Sequence, residues 1–537
     1  MKKFTALIAA SLMLCNAYAQ YAEKLTNIGD PGVGMNYTKH YLAISNGKIY
    51  WENTLDVFSD RVQLWASDGT SNGTYQIIDL PNNGDSRGID DLIEAGGTVF
   101  FTLNDSVNGR ELWKTDGTAT GTVMVKDIAP GITSATPKLL TNFNGTLYFF
   151  AYQDGTGRDL WRSDGTAQGT QLVKSFPTVA GDSSWYETIT IANNKLFFKA
   201  ETANGNELWV SDGTTAGTFE VKDINPGPNS SRPYHIREFN GSVIFTAHNG
   251  VNRNTLWKSD GTEAGTVMIK DFGPNSSPYD YINTYQSTTL GNNFYFVGGT
   301  ATSTELWKSD GTLAGTQKVK AFDYHFDGSV QSMQSFGGKL IFTGYSNATG
   351  FELWQSDGTE LGTTMLKELF PGPSNGYPYG FTELKGELYF VAFVASGNFQ
   401  LFKTDGTNNG TVMVSDSTQA PYLGIFRTLT RFQNTLFFYA FETASGTQVW
   451  KIKDNVISVA ENQLESGVSV GPNPSYDVFR IQSATPMTEV QVTDLQGKRI
   501  SVPIRENTLD LTGHPTGIYL LQGLVDGQYF RKKLIKL

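Results

Sequence analysis

The chain has 537 residues, which is room for one large repeat domain with a small second domain, or for about three or four ordinary domains. Glycine and aromatic residues are abundant and only 17% of the residues are charged, so the composition favours short strands and tight turns over long helices. The net charge of −11 is spread along the chain, which argues against a nucleic-acid partner and against binding to an anionic membrane surface.

Residues 1–19 have the layout of a secretory signal peptide. A basic Lys2-Lys3 start precedes a short apolar run from Phe4 to Cys15, and Ala17-Tyr18-Ala19 forms a small-x-small cleavage site. The apolar run is too short to anchor the chain in a bilayer. We therefore expect export through the Sec translocon and cleavage between Ala19 and Gln20, which leaves a mature protein with no cysteine and no integral membrane segment.

After an N-terminal lead, residues 20–35, the residues 36–458 repeat one pattern. An aromatic residue, preceded by leucine in most copies, returns every 47 to 50 residues, at Trp65, Trp113, Trp161, Trp209, Trp257, Trp307, Trp354, Phe402 and Trp450. A fixed period of this length is typical of repeat architectures.

Each unit contains four segments that favour strands. A first apolar-polar segment ends in an Asn-Gly or similar turn, and a second segment such as Leu147–Ala151 follows it. The Leu-Trp segment comes third, and an Asp-Gly-Thr turn then leads into a fourth segment such as Val123–Ile128. Aromatic and β-branched residues favour strands, and Asn-Gly and Asp-Gly supply the positive φ of tight hairpins. The pattern predicts four antiparallel strands per unit.

The strand segments are apolar on both faces, as in Leu147–Phe150, which is typical of sheets that are covered on both sides. We therefore predict an all-β fold, a multi-bladed β-propeller of four-stranded blades, because a closed ring leaves no exposed sheet edges at its ends. Nine units predict nine blades, with Val449–Ile452 turning into Val456–Ser458 to complete the last one. Eight blades with an irregular terminus and an open solenoid are the alternatives.

Eight Asp-Gly-Thr copies stand in the same phase, and seven of them follow Leu-Trp. Residues 36–458 thus resemble the ELWxxDGT-repeat family of secreted bacterial proteins. The resemblance implies export and a repeat scaffold, and it implies no defined activity.

A polar linker, residues 459–470, precedes a tail with a different pattern, residues 471–537. Alternating short strands over about 70 residues predict a small Ig-like β-sandwich. The tail resembles the type A C-terminal sorting domain of the type IX secretion system. The residues that carry this resemblance are Pro472, Asn473, Pro474, Gly497, Gly517, Tyr519, Lys533 and Lys536.

This second resemblance implies a route and a set of partners. The chain would pass from the periplasm through the type IX secretion machinery, and a C-terminal-processing surface protease would remove the tail. The resemblance therefore implies an extracellular protein that is either released or anchored at the outer-membrane surface.

The aspartates of the Asp-Gly-Thr turns are the candidate metal ligands. Calcium prefers six to eight oxygen ligands, and each turn offers one carboxylate with nearby hydroxyls. We favour a structural role, in which each aspartate accepts hydrogen bonds from backbone N–H groups of its own turn. We accordingly expect no metal and no cofactor. The residues are Asp68, Asp116, Asp164, Asp212, Asp260, Asp310, Asp357 and Asp405.

Aromatic residues just before the first strands of several units are the candidate ligand-binding residues. In a propeller this position lies near the rim of the central channel, where aromatic faces stack on sugars or anchor a peptide. The alternative is packing against the neighbouring blade. The residues are Trp185, Tyr186, Tyr234, Tyr279, Tyr379 and Tyr422.

We find no catalytic signature in the sequence. Residues 467–471 match the nucleophile-elbow pattern but lack its strand-turn-helix context. The histidines have no metal-ligand spacing, although His235 and His325 lie near first strands. We therefore expect a non-catalytic module that binds a glycan or a protein, and not an enzyme. The alternative is a polysaccharide-acting hydrolase or lyase with its site in the channel.

Overall fold

The computed structural model describes residues 22–25, 42–53, 61–81, 88–153, 157–176, 189–253, 255–273, 281–299, 303–325, 328–394, 398–414, 429–442, 446–452, 468–471, 475–483, 485–494, 499–500, 502, 504–505, 508–525 and 528–536. Several sequence predictions lie outside these ranges. They are the signal peptide with Ala19 and Gln20, the strand at 456–458, the aromatic residues Trp185, Tyr186, Tyr279 and Tyr422, and the tail residues Pro472, Asn473, Pro474 and Gly497.

The chain divides into two compact units, residues 1–453 and 454–537. In the described part of the first unit, the strands form nine four-stranded antiparallel sheets. The sheets are numbered 1 to 9 in chain order, except that β1 (Ala22–Lys24) belongs to the last of them, sheet 9. Sheet 1 is β2 (Leu42–Ser45), β3 (Lys48–Asn53), β4 (Arg61–Ser67) and β5 (Thr74–Pro81). Sheet 2 is β6 (Asp90–Ala95), β7 (Thr98–Asn104), β8 (Arg110–Thr115) and β9 (Val123–Lys126). Sheet 3 is β10 (Lys138–Phe143), β11 (Thr146–Tyr152), β12 (Arg158–Ser163) and β13 (Gln171–Lys174).

The following sheets repeat this order. Sheet 4 is β14 (Thr190–Ala192), β15 (Lys195–Thr202), β16 (Gly205–Ser211) and β17 (Phe219–Lys222). Sheet 5 is β18 (Tyr234–Phe239), β19 (Ser242–Ala247), β20 (Thr255–Ser259) and β21 (Val267–Asp271). Sheet 6 is β22 (Tyr281–Leu290), β23 (Asn293–Gly299), β24 (Ser303–Ser309) and β25 (Gln317–Asp323). Sheet 7 is β26 (Val330–Phe336), β27 (Lys339–Ser346), β28 (Gly350–Ser356) and β29 (Thr364–Lys367). Sheet 8 is β30 (Tyr379–Leu384), β31 (Glu387–Val394), β32 (Asn398–Thr404) and β33 (Val412–Met413). Sheet 9 has β34 (Thr430–Phe432), β35 (Thr435–Glu442) and β36 (Gly446–Ile452) beside β1.

Consecutive sheets pack face to face. Phe101 of sheet 2 packs with Leu64 of sheet 1, whereas the adjacent Phe100 packs with Phe149 of sheet 3. Successive residues of a strand point to opposite faces, so a strand buried on both sides must be apolar at every position. Equivalent clusters lie between every further pair of neighbours up to sheets 7 and 8. The double-faced apolar pattern of the sequence thus has its cause in this stacking.

The first strands lie innermost. Contacts join β2 to β6, β6 to β10, β14 to β18, β18 to β22, β22 to β26, β26 to β30 and β30 to β34. Because the order within each sheet runs from first to fourth strand, the fourth strands lie outermost. The strand ends define two faces. The turn face carries the turns between first and second strands and the Asp-Gly-Thr loops. The linker face carries the hairpins between second and third strands and the linkers to the next sheet.

Sheet 9 closes the ring. The lysine Nζ of Lys451 donates a hydrogen bond to the carbonyl oxygen of Gly69 in sheet 1, as Lys308 of sheet 6 does to Gly358 of sheet 7 at 3.0 Å. The outer edge of β36 is covered by β1, and the Leu25 amide donates to the Val449 carbonyl at 2.9 Å. The sequence predicts residues 456–458 as this outer strand. The structure instead places β1 there, so two segments more than 400 residues apart in sequence complete one sheet.

The second unit contains two further four-stranded sheets. One is formed by β37 (Ser469–Gly471), β38 (Val478–Gln482), β42 (Thr508–Asp510) and β41 (Ile504–Arg505). The other is formed by β40 (Arg499–Ile500), β39 (Met487–Asp494), β43 (Gly517–Val525) and β44 (Gln528–Lys536). Both sheets contribute to one apolar core, in which Phe479, Leu509 and Leu521 are fully buried.

The predicted all-β fold with four-stranded antiparallel sheets is confirmed. The regular structure of the described residues consists of strands, and no helix among them is long and apolar enough to span a membrane. The arrangement around the first strands is propeller-like.

We predict that deletion of residues 20–25 from the mature chain lowers the unfolding free energy of the ring. The deletion removes the backbone pairing of β1 with β36 and the burial of Leu25, which is 6% exposed, at a cost of about 4 kcal/mol in total. Thermal unfolding of the two proteins measures the difference. Replacement of Ala22–Lys24 by three threonines keeps the strand and is the control, which should unfold close to the wild type. Equal unfolding temperatures for the deletion and the wild type would contradict closure by β1.

Candidate ligand-binding face

The Asp-Gly-Thr loops on the turn face share one hydrogen-bond network. In sheet 4, Asp212 Oδ1 accepts from the Thr214 amide at 2.8 Å and from the Thr214 hydroxyl at 2.7 Å, and that hydroxyl accepts from the Gly217 amide at 3.0 Å. A side-chain carbon at position 217 would lie 2.0 Å from Asp212 Oδ1, so only glycine fits there. The same aspartate-threonine bonds occur at Asp68, Asp116, Asp164, Asp260, Asp310, Asp357 and Asp405.

Each loop aspartate is therefore bonded within its own loop. The hydrogen bonds from Thr214 lower the pKa of the Asp212 carboxyl, because they favour its ionised form. The structure places the eight aspartates in eight separate loops. Within the described ranges, no group of three or more His, Cys, Asp or Glu side chains is arranged to hold a metal ion.

On the linker face, several of the linkers between sheets are each held by hydrogen bonds to a buried glutamate. This residue is the first of the Glu-Leu-Trp segment. Glu111 accepts from the amides of Ile128 at 3.0 Å and Ala135 at 3.1 Å, which begin and end the linker between sheets 2 and 3. Glu207 does the same between sheets 4 and 5, through the amides of Ile224 at 3.0 Å and Ser231 at 2.8 Å.

Burial raises the pKa of these glutamates to about 7, although the backbone donors act in the opposite direction. Glu111 and Glu207 have no exposed surface, and Glu352 between sheets 7 and 8 has the same environment and the same raised pKa. This position is not among the sites predicted from the sequence. The signal that could have revealed it is the recurrence of glutamate as the first residue of the Glu-Leu-Trp segment.

The linkers hold variable side chains in a fixed backbone frame. The Arg232 amide donates to the Asn206 carbonyl at 3.0 Å, and the His248 amide donates to the Ser231 carbonyl at 2.7 Å. Between sheets 2 and 3 the equivalent bonds hold Thr136 and Tyr152, and between sheets 7 and 8 they hold Tyr377 and Phe393. Arg232, Thr136 and Tyr377 all have a positive φ of 43–47°. The backbone is thus repeated, whereas the side chains that it presents differ.

Two of the predicted aromatic residues are described, and they lie in different sheets. Tyr234 begins β18 and is 37% exposed, with the Lys199 Nζ 4.4 Å from its ring centroid. Tyr379 begins β30 and packs edge-on against Phe399, with 5.6 Å between ring centroids. Phe399 belongs to β32 of the same sheet, so this contact is not packing against a neighbouring blade. Tyr234, in contrast, has exposed surface on the linker face.

Tyr234 lies beside a cavity of about 470 Å³ in the linker face between sheets 4 and 5. The residues that line the cavity are Asn225, Pro228, Asn229, Ser230, Ser231, Arg232, Tyr234, Thr246, Ala247, His248 and Arg253. None of them carries a carboxylate. Both arginines are exposed, and neither guanidinium bonds to any residue of the described ranges.

His248 is a neutral hydrogen-bond donor to this cavity. Its Nδ1 accepts from the Gly250 amide at 3.1 Å and faces the Asn225 side-chain amide at 3.2 Å, so the ring proton resides on Nε2. Burial, and then the charges of Arg253 and Arg232, lower the pKa of His248 and keep the ring neutral.

The two histidines singled out in the sequence lie elsewhere. His235, next to Tyr234, is 5.8 Å from the Tyr285 ring, and burial lowers its pKa to about 4 with help from Arg237 and Lys199. His325 packs against Tyr345 at 4.7 Å and against Phe351. The structure therefore does not bring these two histidines to the cavity.

In the tail, the described sorting-signal residues lie at the end of the second sheet. Tyr519 is buried and its hydroxyl donates to the Pro515 carbonyl at 2.6 Å. Lys536 is also buried, and its Nζ donates to the Leu511 carbonyl at 2.8 Å and pairs with Asp477 at 2.7 Å. Gly517 starts β43 opposite Lys536, and Lys533 pairs with Leu520 through the backbone.

Residues 469–537 match the family described as secretion system C-terminal sorting domain, Por_Secre_tail. The tail is a type IX secretion sorting domain. This domain supports a secreted or cell-surface location and an interaction with the type IX machinery. The comparison with curated proteins gives no match.

Solved structures with a similar arrangement of strands are distant in sequence. They include a mutant puromycin hydrolase complexed with PGG (13% identity, TM-score 0.35, 72% of this chain and 61% of that chain). A prolyl endopeptidase structure aligns at 14% identity and a TM-score of 0.38, over 76% of this chain and 55% of that one. The β-propeller domain of the Trilobed protease from Pyrococcus furiosus aligns at 12% identity and a TM-score of 0.32, over 70% and 98%.

These comparisons correct one sequence prediction. The prediction that the chain is not an enzyme is contradicted, because hydrolases and peptidases are among the structures with this propeller-like arrangement. The chain spans less than two thirds of the puromycin hydrolase and of the prolyl endopeptidase. At these identities the likeness extends to the fold, and no reaction or substrate passes from them to this chain.

We predict that Glu207→Gln flattens the dependence of stability on pH. The folded-state pKa of about 7 lies above the ordinary 4.5, so the stability is full below pH 4.5 and falls as the pH rises through 7. One such group accounts for about 3 kcal/mol of this fall. Glutamine already occupies the corresponding position at Gln63, Gln400 and Gln448.

Denaturant unfolding between pH 4.5 and 7.5 measures the effect. Glu305→Gln is the matched control, because Glu305 has the same motif position but bonds Lys318 near the surface at 3.1 Å. Parallel pH curves for the wild type and Glu207→Gln would contradict the raised pKa.

Proposed function

We propose that this protein is an extracellular nine-bladed propeller of the ELWxxDGT-repeat type, which the type IX system exports and which binds a glycan on its linker face. After cleavage by the signal peptidase between Ala19 and Gln20, the Ig-like sorting domain directs the chain across the outer membrane. A surface protease then removes this domain. The mature product is the ring.

The cavity between sheets 4 and 5 carries the proposal. It combines an exposed aromatic ring, Tyr234, with hydrogen-bond donors from Asn229, Ser230 and His248. Sugar recognition needs these two components, an apolar surface for the ring C–H groups and polar groups for the hydroxyls.

The contrast between the faces also supports the linker face as the site. The turn face repeats the same bonds in eight loops, and its aspartates are used within those loops. The linker face presents different side chains at equivalent positions. A site for one ligand requires side chains that differ from those of the neighbouring sheets, and the linker face meets this requirement.

We predict that removal of residues 471–537 leaves a folded ring in the periplasm, because the ring retains its own core while the sorting domain is lost. Cell fractionation with an antibody to the ring locates the protein. Deletion of residues 459–467 alone, which keeps the sorting domain, is the control and should reach the surface or the medium. Equal export of the tail-less chain would refute the role of the tail.

We predict that Tyr234→Ala weakens glycan binding about fivefold, because the stacking surface is lost while the donors remain. A glycan panel, read for binding and for released products, identifies the ligand and titration calorimetry gives the affinity. Phe219→Ala removes an exposed aromatic residue of β17, 47% exposed, and should bind as the wild type does. Binding that is unchanged in Tyr234→Ala would place the site elsewhere.

A further inference from the structure

The cavity between sheets 4 and 5 has a local positive charge in an acidic protein. The chain carries a net charge of −11, yet the cavity is lined by two arginines and a histidine and by no carboxylate. Among the described residues, neither Arg232 nor Arg253 bonds to an acidic side chain.

The backbone that carries Arg232 is fixed from both sides. Its amide donates to the Asn206 carbonyl at 3.0 Å, and the preceding Ser231 amide donates to the buried Glu207 carboxyl at 2.8 Å. The Asn225 side-chain amide donates to the Ser230 carbonyl at 3.1 Å and so holds the start of the same linker. The arginine side chain therefore starts from a rigid base, which reduces the entropy lost when it binds a ligand.

Ser230 and His248 add two hydrogen-bond donors to the cavity. The Ser230 Oγ accepts from the Asn206 amide at 3.0 Å, which leaves its hydroxyl hydrogen available. The neutral His248 ring carries its proton on Nε2, because Nδ1 already accepts from Gly250. Two guanidinium groups, an imidazole N–H and a hydroxyl form a set of donors that suits an oxyanion.

Equivalent places in two other interfaces lack this set. Between sheets 2 and 3 the corresponding residues are Thr136 and Tyr152, and between sheets 7 and 8 they are Tyr377 and Phe393. The cations are therefore no requirement of the repeat fold.

We propose that this cavity binds the oxyanion of an acidic polysaccharide, a uronate carboxylate or a sugar sulfate, between Arg232 and Arg253, with the sugar ring against Tyr234. This inference rests on the proposed function and names its ligand class. A carboxylate and a sulfate ester each present two adjacent oxygens that one guanidinium group can bond with two N–H groups. The arginines are exposed, so binding should weaken as the salt concentration rises.

Titration calorimetry of the mature protein tests this with two pairs of probes. One pair is polygalacturonate and its methyl ester, and the other is dextran sulfate and dextran. Within a pair the sugar backbone is the same, and the uncharged member has its acidic group esterified or absent. We expect one acidic member to bind at least about tenfold more tightly than its uncharged match, and the pair that responds distinguishes carboxylate from sulfate.

Arg232→Gln and Arg253→Gln should each lower the affinity for that acidic ligand about tenfold and reduce its salt dependence. Arg162→Gln, an exposed arginine of sheet 3 that bonds Gln171 at 3.0 Å, is the control and should change neither. Circular dichroism confirms that the variants are folded.

Two other outcomes would contradict either the oxyanion site alone or glycan binding as a whole. If uncharged glycans bind as tightly as acidic ones and the arginine variants do not change the affinity, the inference of an oxyanion site is wrong while glycan binding stands. If no glycan of the panel or of the two pairs binds, the proposed function fails together with this inference.

Discussion

Closure of the ring is the constraint on which the rest of the structure depends. Every sheet from 1 to 8 is buried between two neighbours, so the ring is stable only if sheet 9 covers the open faces of sheets 8 and 1. The chain meets this need with the same contacts that it uses elsewhere, since Lys451 bonds Gly69 as Lys308 bonds Gly358. Strand β1 then covers the remaining edge of β36, which would otherwise expose unpaired backbone groups.

The two faces of the ring differ in how much they vary between sheets: the turn face repeats the same loop, whereas the linker face presents different side chains. On the turn face, the polar groups of each Asp-Gly-Thr loop bond to one another, and a position such as Gly217 has no room for a side chain. On the linker face, a buried glutamate such as Glu207 holds each end of a linker, at the cost of desolvating a carboxyl group. With the backbone fixed in this way, side chains such as Arg232 and His248 can differ from those of other sheets without loss of the fold.

The sequence predicts the strands well because their cause is local and repeated. The apolar pairs such as Phe100 and Phe101 report burial on both faces, and the fixed period reports the sheets. Strand β1 was not predictable, because three residues without an apolar pattern pair with a strand more than 400 residues away. Tyr234 was predicted from its place before a first strand. The sequence does not predict the other cavity residues, Arg232, His248 and Arg253, as parts of one site. They come together only because the linker and the hairpin of sheet 5 pack side by side.

Amide hydrogen exchange at β36 tests the closed ring most directly. The Val449 carbonyl accepts from Leu25, so the amides of Val449 and Lys451 lie on the edge that β1 covers. In the closed ring these two amides should exchange as slowly as the third-strand amides of sheet 7, in β28, which face the paired strand β29. Exchange of Val449 and Lys451 at the rate of an unpaired edge strand, with β28 still protected, would contradict the pairing of β1 with β36 that completes the ring.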